Sequence, residues 1–144
     1  MELLGKNILV TGGAVRIGKL FCLALAKQGA NVFIHYGTSK ESALETKEKI
    51  ESFGVEARIF QADLSDTDSA INLIAKVNKF GPLFGLVNNA SIFGNHTIED
   101  TTKESWQKHF DVNLTAPFFL SKAFYASLSE KSDGQFVNIV DWLA

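Results

Sequence analysis

Asn7-Ile8-Leu9-Val10-Thr11 is a short apolar run that breaks at once into Gly12-Gly13, and a longer stretch with apolar residues at helical spacing follows. This alternation recurs down the chain and leaves few architectures open. Short apolar runs bounded by turn residues read as buried strands, and the longer periodic stretches read as helices. The first helix is expected from about Val15 to Gln28, carrying Ile17, Leu20, Phe21, Ala24 and Leu25, with Gly29 as its stop. Asn31-Val32-Phe33-Ile34-His35 is a second strand, and Thr38 with Glu41 matches a capping box. The helix after it carries Ala43, Leu44, Ile50 and Phe53 up to Gly54.

Glu56 to Gln61 reads as a third strand, and Ser65 with Asp68 opens a helix carrying Ile71, Ile74 and Val77. Leu83 to Asn88 is a fourth strand. A helical region runs from about Thr101 to Ser129, with interruptions expected near Asn113 and Pro117, and Gln135 to Val140 is a fifth strand. Strands separated by helices predict an α/β fold, a parallel sheet with right-handed crossovers and helices on both faces. The expected strand order is 3-2-1-4-5, the start of a doubly wound nucleotide-binding sheet in one domain over residues 1–144. No tandem repeat, low-complexity segment or interdomain linker interrupts it.

Composition narrows the function classes. Of 144 residues, 46% are hydrophobic and 21% charged, which supports a core and argues against disorder. Fourteen basic against 16 acidic side chains leave −2, too little positive charge for a broad nucleic-acid surface. One cysteine excludes a disulfide framework and a Cys-based zinc site; Cys22, inside the first helix, reads as a buried small hydrophobe. His35, His96 and His109 lie on different elements without a ligand pattern, so no metal is expected. No apolar run approaches the roughly 20 residues that span a bilayer, and MELLGKNILV lacks the features of a signal peptide. The expectation is a cytoplasmic protein that handles a small molecule, with neither nucleic acid nor membrane as partner.

The turn Thr11-Gly12-Gly13-Ala14-Val15-Arg16-Ile17-Gly18 lies between the first strand and the first helix. Glycines there allow a sharp turn and close approach to a phosphate, which a helix N-terminus can bind with its free N–H groups. Three readings remain at this point: a strand-to-helix turn that binds nothing, a P-loop, and a dinucleotide site. Gly13-x-x-x-x-Gly18-Lys19 falls short of a P-loop, because Leu20 replaces the Ser or Thr that would hold magnesium.

Later segments favour the dinucleotide. TGGAVRIG, the QADL segment from Gln61 to Leu64, Asn88-Asn89-Ala90-Ser91 and Asp111-Val112-Asn113-Leu114 occur in the order and spacing of one family over almost the whole chain. The sequence resembles the short-chain dehydrogenase/reductase family. That resemblance implies a Rossmann-type fold, here lacking the family's carboxyl-terminal strands. It also implies that Gly12 and Gly18 face a pyrophosphate, Asp63 and Leu64 the adenine, and Asn89 and Ala90 the adenosine ribose and the end of the fourth strand. Ile17, Tyr36, Thr38, Ser39, Lys40 and Ser91 are further implied coenzyme positions, and Asn113 is placed at a proton-relay water.

Two departures point to a branch. Arg16 stands where the family's middle glycine is usual, as in pteridine reductases, and Asn88-Asn89-Ala90-Ser91-Ile92-Phe93 is similar to their loop after strand four. The resemblance implies that Arg16 lies near the coenzyme phosphate and the substrate, and that Ser91 and Phe93 line a pterin pocket. Ordinary loop packing is the alternative for Phe93. The fifth strand ends in Asp141, where most members have a catalytic serine and this branch has Asp; a loop-capping Asp is the alternative.

An acidic residue after the second strand would bind the ribose of NAD and repel the extra phosphate of NADP. His35-Tyr36-Gly37-Thr38-Ser39-Lys40 offers hydroxyls and a lysine but no carboxylate before Glu41, so NADP(H) is expected over NAD(H). The family's NADP-type arginine is missing where Thr38 stands, and a solvated turn remains the alternative. Tyr36-x-x-x-Lys40 has the spacing of the family's catalytic pair but follows the second strand, on the adenosine side. The pair proper would fall beyond Ala144, so these 144 residues are expected to be carboxyl-terminally incomplete and without turnover. The leading expectation is an NADPH-dependent reductase passing hydride to a flat pterin-like or carbonyl substrate, and the alternative is a dinucleotide-binding module without catalysis. Family members commonly pair through the long helix, here 106–128, so a homo-oligomer is also expected.

Overall fold

The structure is a computed structural model that describes residues 2–94, 97–129 and 133–140. Among these described residues five parallel strands run β1 (Asn7–Val10), β2 (Asn31–Tyr36), β3 (Ala57–Gln61), β4 (Leu83–Asn88) and β5 (Gln135–Asn138). They form one sheet in the order β3-β2-β1-β4-β5, as the alternation predicts. Helices α1 (Arg16–Lys27), α2 (Lys40–Glu51), α3 (Thr67–Asn78), α4 (Lys103–Phe110) and α5 (Ala116–Ser127) make the crossovers. The strand order reverses beside β1, which puts the carboxyl ends of β1 and β4 at the switch point where such sheets bind ligands.

Alternation along the strands divides the core in two. Ile8, Val10, Val32 and Ile34 pack with Cys22, Ala26, Ala43 and Ile50 on the α1/α2 face. Leu9, Phe33 and Leu86 pack with Leu73, Ile74, Leu120 and Phe124 on the other, under α3 and α5. A parallel sheet covered on both faces needs strands that are apolar throughout, and β2 is buried from Val32 to Tyr36.

Three local expectations are corrected. In α1 the buried residues are Gly18, Cys22 and Ala26, while Ile17 and Leu20 are exposed, because small residues let the helix lie close to the sheet. Phe21, Ala24 and Leu25 border an apolar groove with Val87, Val137 and Ile139. Neither proposed capping pair forms: Ser39 is the N-cap of α2 without a side-chain bond, and Asp66, not Ser65, caps α3 by accepting from Asp68 N–H. A capping box does occur at α4, between Thr102 and Ser105. The interruption expected near Asn113 is present as a π-turn (Asp111–Thr115) between α4 and α5, but the one expected at Pro117 is not, because Pro117 sits in the first turn of α5 where it costs no helix bond.

Candidate functional site

The glycine turn is held from three sides. Gly12 has φ +63°, a conformation that suits glycine, and a Cβ there would meet Ala90 Cα at 3.0 Å. A Cβ on Gly18 would come within 2.1 Å of the Gly12 carbonyl oxygen, so only glycine lets α1 start this close to the turn. Gly12 N–H donates to His35 Nδ1 at 3.1 Å and Gly13 N–H to the His35 carbonyl at 3.0 Å. Thr46 on α2 donates to the Ala14 carbonyl at 3.1 Å.

The N-terminus of α1 is left open. Val15 is its N-cap, no side chain caps it, and no acidic residue lies in its first turn. Unpartnered N–H groups and the positive end of the helix dipole suit an anion there. Arg16, the first residue of α1, is exposed and has φ +51°, the one non-glycine residue with positive φ among those described. α2 also starts without a side-chain cap, beside exposed Thr38 and Lys40 and half-buried Ser39.

Thr11 joins this turn to β4. Its hydroxyl accepts from Asn89 N–H at 2.9 Å and Ala90 N–H at 3.0 Å and donates to the Val87 carbonyl at 3.3 Å. The Asn89 amide donates to the Thr11 carbonyl at 2.9 Å and the Gly12 carbonyl at 3.4 Å. Gly12, Gly18, Asn89 and Ala90 are therefore one packed group. Next to it, buried Asn88 donates to Asn138 Oδ1 at 2.8 Å and Ser121 Oγ at 3.0 Å, tying β4 to β5 and α5.

The remaining sequence-predicted residues divide by exposure. Asp63 is exposed, and its carboxylate accepts from Ser65 O–H at 2.7 Å and Ser65 N–H at 2.9 Å. These bonds, helped by the more distant charge of Lys108, hold its pKa below the usual carboxylate range. Leu64 and Tyr36 are buried in the two core clusters, so their side chains serve packing at these positions. Ser91 is exposed, and Phe93 is 91% exposed on the loop after β4. Asn113, in the π-turn, bonds the backbone of Ile92 in that same loop. Asp141 and His96 lie outside the described residues.

His35 and Thr46 are structural members of the site that the sequence motifs did not single out, and Thr11 opens the TGGAVRIG motif without any sign there that its hydroxyl binds the loop after β4. Their signal is a polar residue buried at the carboxyl end of a strand or on the inner face of a helix, and neither burial can be read without the fold.

Residues 6–141 match the family model for short chain dehydrogenases. The chain belongs to that family. The uncharacterized oxidoreductase YgcW of Escherichia coli (strain K12) is 38% identical over 139 residues, covering 96% of this chain and 52% of its own length. Among solved structures, FolM alternative dihydrofolate reductase 1 from Brucella canis, complexed with NADP, superposes with a TM-score of 0.90 at 34% identity, covering 98% of this chain and 57% of that one. A short chain dehydrogenase from Burkholderia cenocepacia in complex with NADP gives 0.90 at 37% identity, covering 96% and 56%. The chain spans about half the length of the curated relatives it matches. Among the described residues, no helix of this short-chain dehydrogenase family member is long and apolar enough to cross a membrane.

Proposed function

We propose that this chain is the coenzyme-binding part of an NADP(H)-dependent short-chain reductase of the pteridine reductase-like type, acting on a flat pterin-like or carbonyl substrate. The observation that carries the reading is the uncapped N-terminus of α1 over the Gly12–Gly18 contact, with no carboxylate between the end of β2 and Glu41. NADP in two structures of the same fold supports it. The first turn of α1 with Arg16 and Ile17 would hold the pyrophosphate, and Thr38, Ser39 and Lys40 the extra phosphate. The Asp63 side chain and the backbone of Leu64 would border the adenine, with Asn89, Ala90 and Ser91 along the adenosine.

When bound, the coenzyme supplies a hydride from its nicotinamide ring to the substrate. Phe93 offers an exposed ring face to a flat heterocycle at the carboxyl end of β4, with Ser91 beside it. Asn113 holds that loop through Ile92. The accompanying proton needs an acid; Asp141 is a candidate relay, and the family's Tyr-x-x-x-Lys has no match after β5 in this sequence. Titrating NADPH and NADH by calorimetry at two salt concentrations tests the coenzyme reading. Tighter NADPH binding that weakens with salt is expected; equal affinities or tighter NADH would overturn it.

We also propose that the chain pairs with a second copy through α4, the π-turn and α5. Trp106, Phe110, Leu114 and Phe118 follow at four-residue steps and are 58%, 42%, 61% and 62% exposed, an apolar stripe of the kind that marks an interaction surface. Sedimentation of the wild type and of a Phe118→Glu variant tests this: a dimer that the variant dissociates is expected, and a wild-type monomer would refute it.

A further inference from the structure

We propose that His35 is a positioning residue for the coenzyme: its imidazole, in one neutral tautomer, ties the turn at Gly12 to the carboxyl end of β3 at Ala62. The inference rests on the NADP(H) reading above. Gly12 N–H can only donate, so Nδ1, 3.1 Å away, must accept and carries no proton. The proton then belongs to Nε2, which donates to the Ala62 carbonyl at 3.1 Å. His35 is 3% exposed, so no water competes for either bond.

The backbone reinforces the link. The His35 carbonyl accepts from Gly13 N–H at 3.0 Å, and Ala62 N–H donates to the neighbouring Tyr36 carbonyl at 3.3 Å. One strand end thereby fixes both loops that would border the coenzyme: the turn before α1, and the segment entering Asp63-Leu64. His35 also decides which N–H groups remain for a phosphate. Gly12 and Gly13 direct theirs at β2, and the uncapped first turn of α1 keeps its own. An apolar side chain of this size would fill the space without the desolvation cost of two ring nitrogens. What it could not do is orient the turn.

Two substitutions separate the two bonds. In His35→Asn the amide oxygen takes the place of Nδ1 and keeps the bond to Gly12, while the link to Ala62 is lost. In His35→Gln the longer amide reaches Ala62 and releases Gly12. NADPH affinity and melting temperature are measured for both and for the wild type. Each variant is expected to melt lower by a similar amount, having lost one buried bond. NADPH affinity should fall about tenfold in His35→Gln and less than about threefold in His35→Asn. Affinities that track melting temperature equally in the two variants would overturn the proposal.

Nitrogen-15 spectra of the ligand-free wild type give a readout independent of the variants' folding. Unprotonated Nδ1 and protonated Nε2 are expected, and a proton on Nδ1 would overturn the assignment. A wild type that shows this tautomer but does not bind NADPH would overturn the coenzyme reading and this inference with it. A wild type that binds NADPH while the two variants lose affinity equally would overturn the inference alone.

Discussion

Asn113 engages Ile92 with both groups of its side chain: Oδ1 accepts from Ile92 N–H at 2.8 Å, and Nδ2 donates to the Ile92 carbonyl at 2.9 Å. The π-turn between α4 and α5 is thereby fastened to the loop after β4, one residue before Phe93. π-turns are rare, occur often at functional sites, and bring a helix residue to a position that regular spacing would not reach.

Replacing Asn113 with Ala should cost about 1–2 kcal/mol, since both bonds are lost but the freed Ile92 groups can reach water. Amide exchange at Ile92 should accelerate more than exchange in the sheet. Asn113→Asp should be the worse substitution, because a carboxylate would then face the Ile92 carbonyl. A variant with unchanged exchange at Ile92 would show that the loop is held by something else.

Phe93 and Phe124 make a contrasting pair. Phe93 is 91% exposed, and Phe124 is fully buried at 0%. Phe93→Ala should leave thermal stability nearly unchanged while weakening binding of a pterin analogue. Phe124→Ala should cost about 3–5 kcal/mol through the cavity it leaves. Thermal melts of the two variants decide the matter, and a large loss from Phe93→Ala would mean that the ring is packed in solution.

Arg16 holds a left-handed backbone, φ +51°, that costs an L-residue about 1–2 kcal/mol. Arg16→Gly should therefore raise stability by about 1 kcal/mol while weakening NADPH binding. A variant that melts higher and binds NADPH as tightly as the wild type would remove Arg16 from the coenzyme site.

Burial pushes the pKa of His35 below its ordinary value, an effect opposed in part by its bond to the Ala62 backbone. The unfolded chain takes up a proton at about pH 6.5, whereas the folded chain resists until lower pH. The neutral ring's contribution is therefore complete above that value, and stability falls as pH drops from there towards the folded pKa. Asp63, next to Ala62, titrates well below this window because its own pKa is lowered. Denaturation midpoints from pH 5 to 8 should fall more steeply on the acid side in wild type than in His35→Asn. Parallel curves would assign the slope to other groups.

The Cys22 thiol is pushed up to about 12 by burial, against the inner face of the glycine turn. Thiolate is the reactive form, so the folded protein should resist an alkylating reagent at neutral pH and react only on unfolding. Rapid labelling of native protein would mean that α1 opens from the turn.

Strand positions and the 3-2-1-4-5 order were legible in the sequence because they follow from short-range pattern plus one global constraint. Runs such as Leu83–Asn88 bounded by turns can be little else, and right-handed crossovers leave few ways to assemble them. The clustering of Gly12, Gly18, Asn89 and Ala90 was implied by motif order, since each motif follows a strand that ends on the same edge of the sheet.

What the tertiary structure decided was which local option each segment took. Thr38–Glu41 and Thr102–Ser105 both carried capping hydroxyls, yet only the second makes the box, because Thr102 is the N-cap of α4 whereas α2 starts one residue later than its pair requires, with Ser39 as the N-cap. The face of α1 that is buried was set by the closeness of the sheet, which accepts Gly18, Cys22 and Ala26 and leaves Ile17 and Leu20 outside. The role of His35 depends on Gly12 and Ala62, which lie 23 and 27 residues away in sequence. A hydrogen bond between residues so separated exists only after the strands have paired, and no pattern of neighbouring residues encodes it.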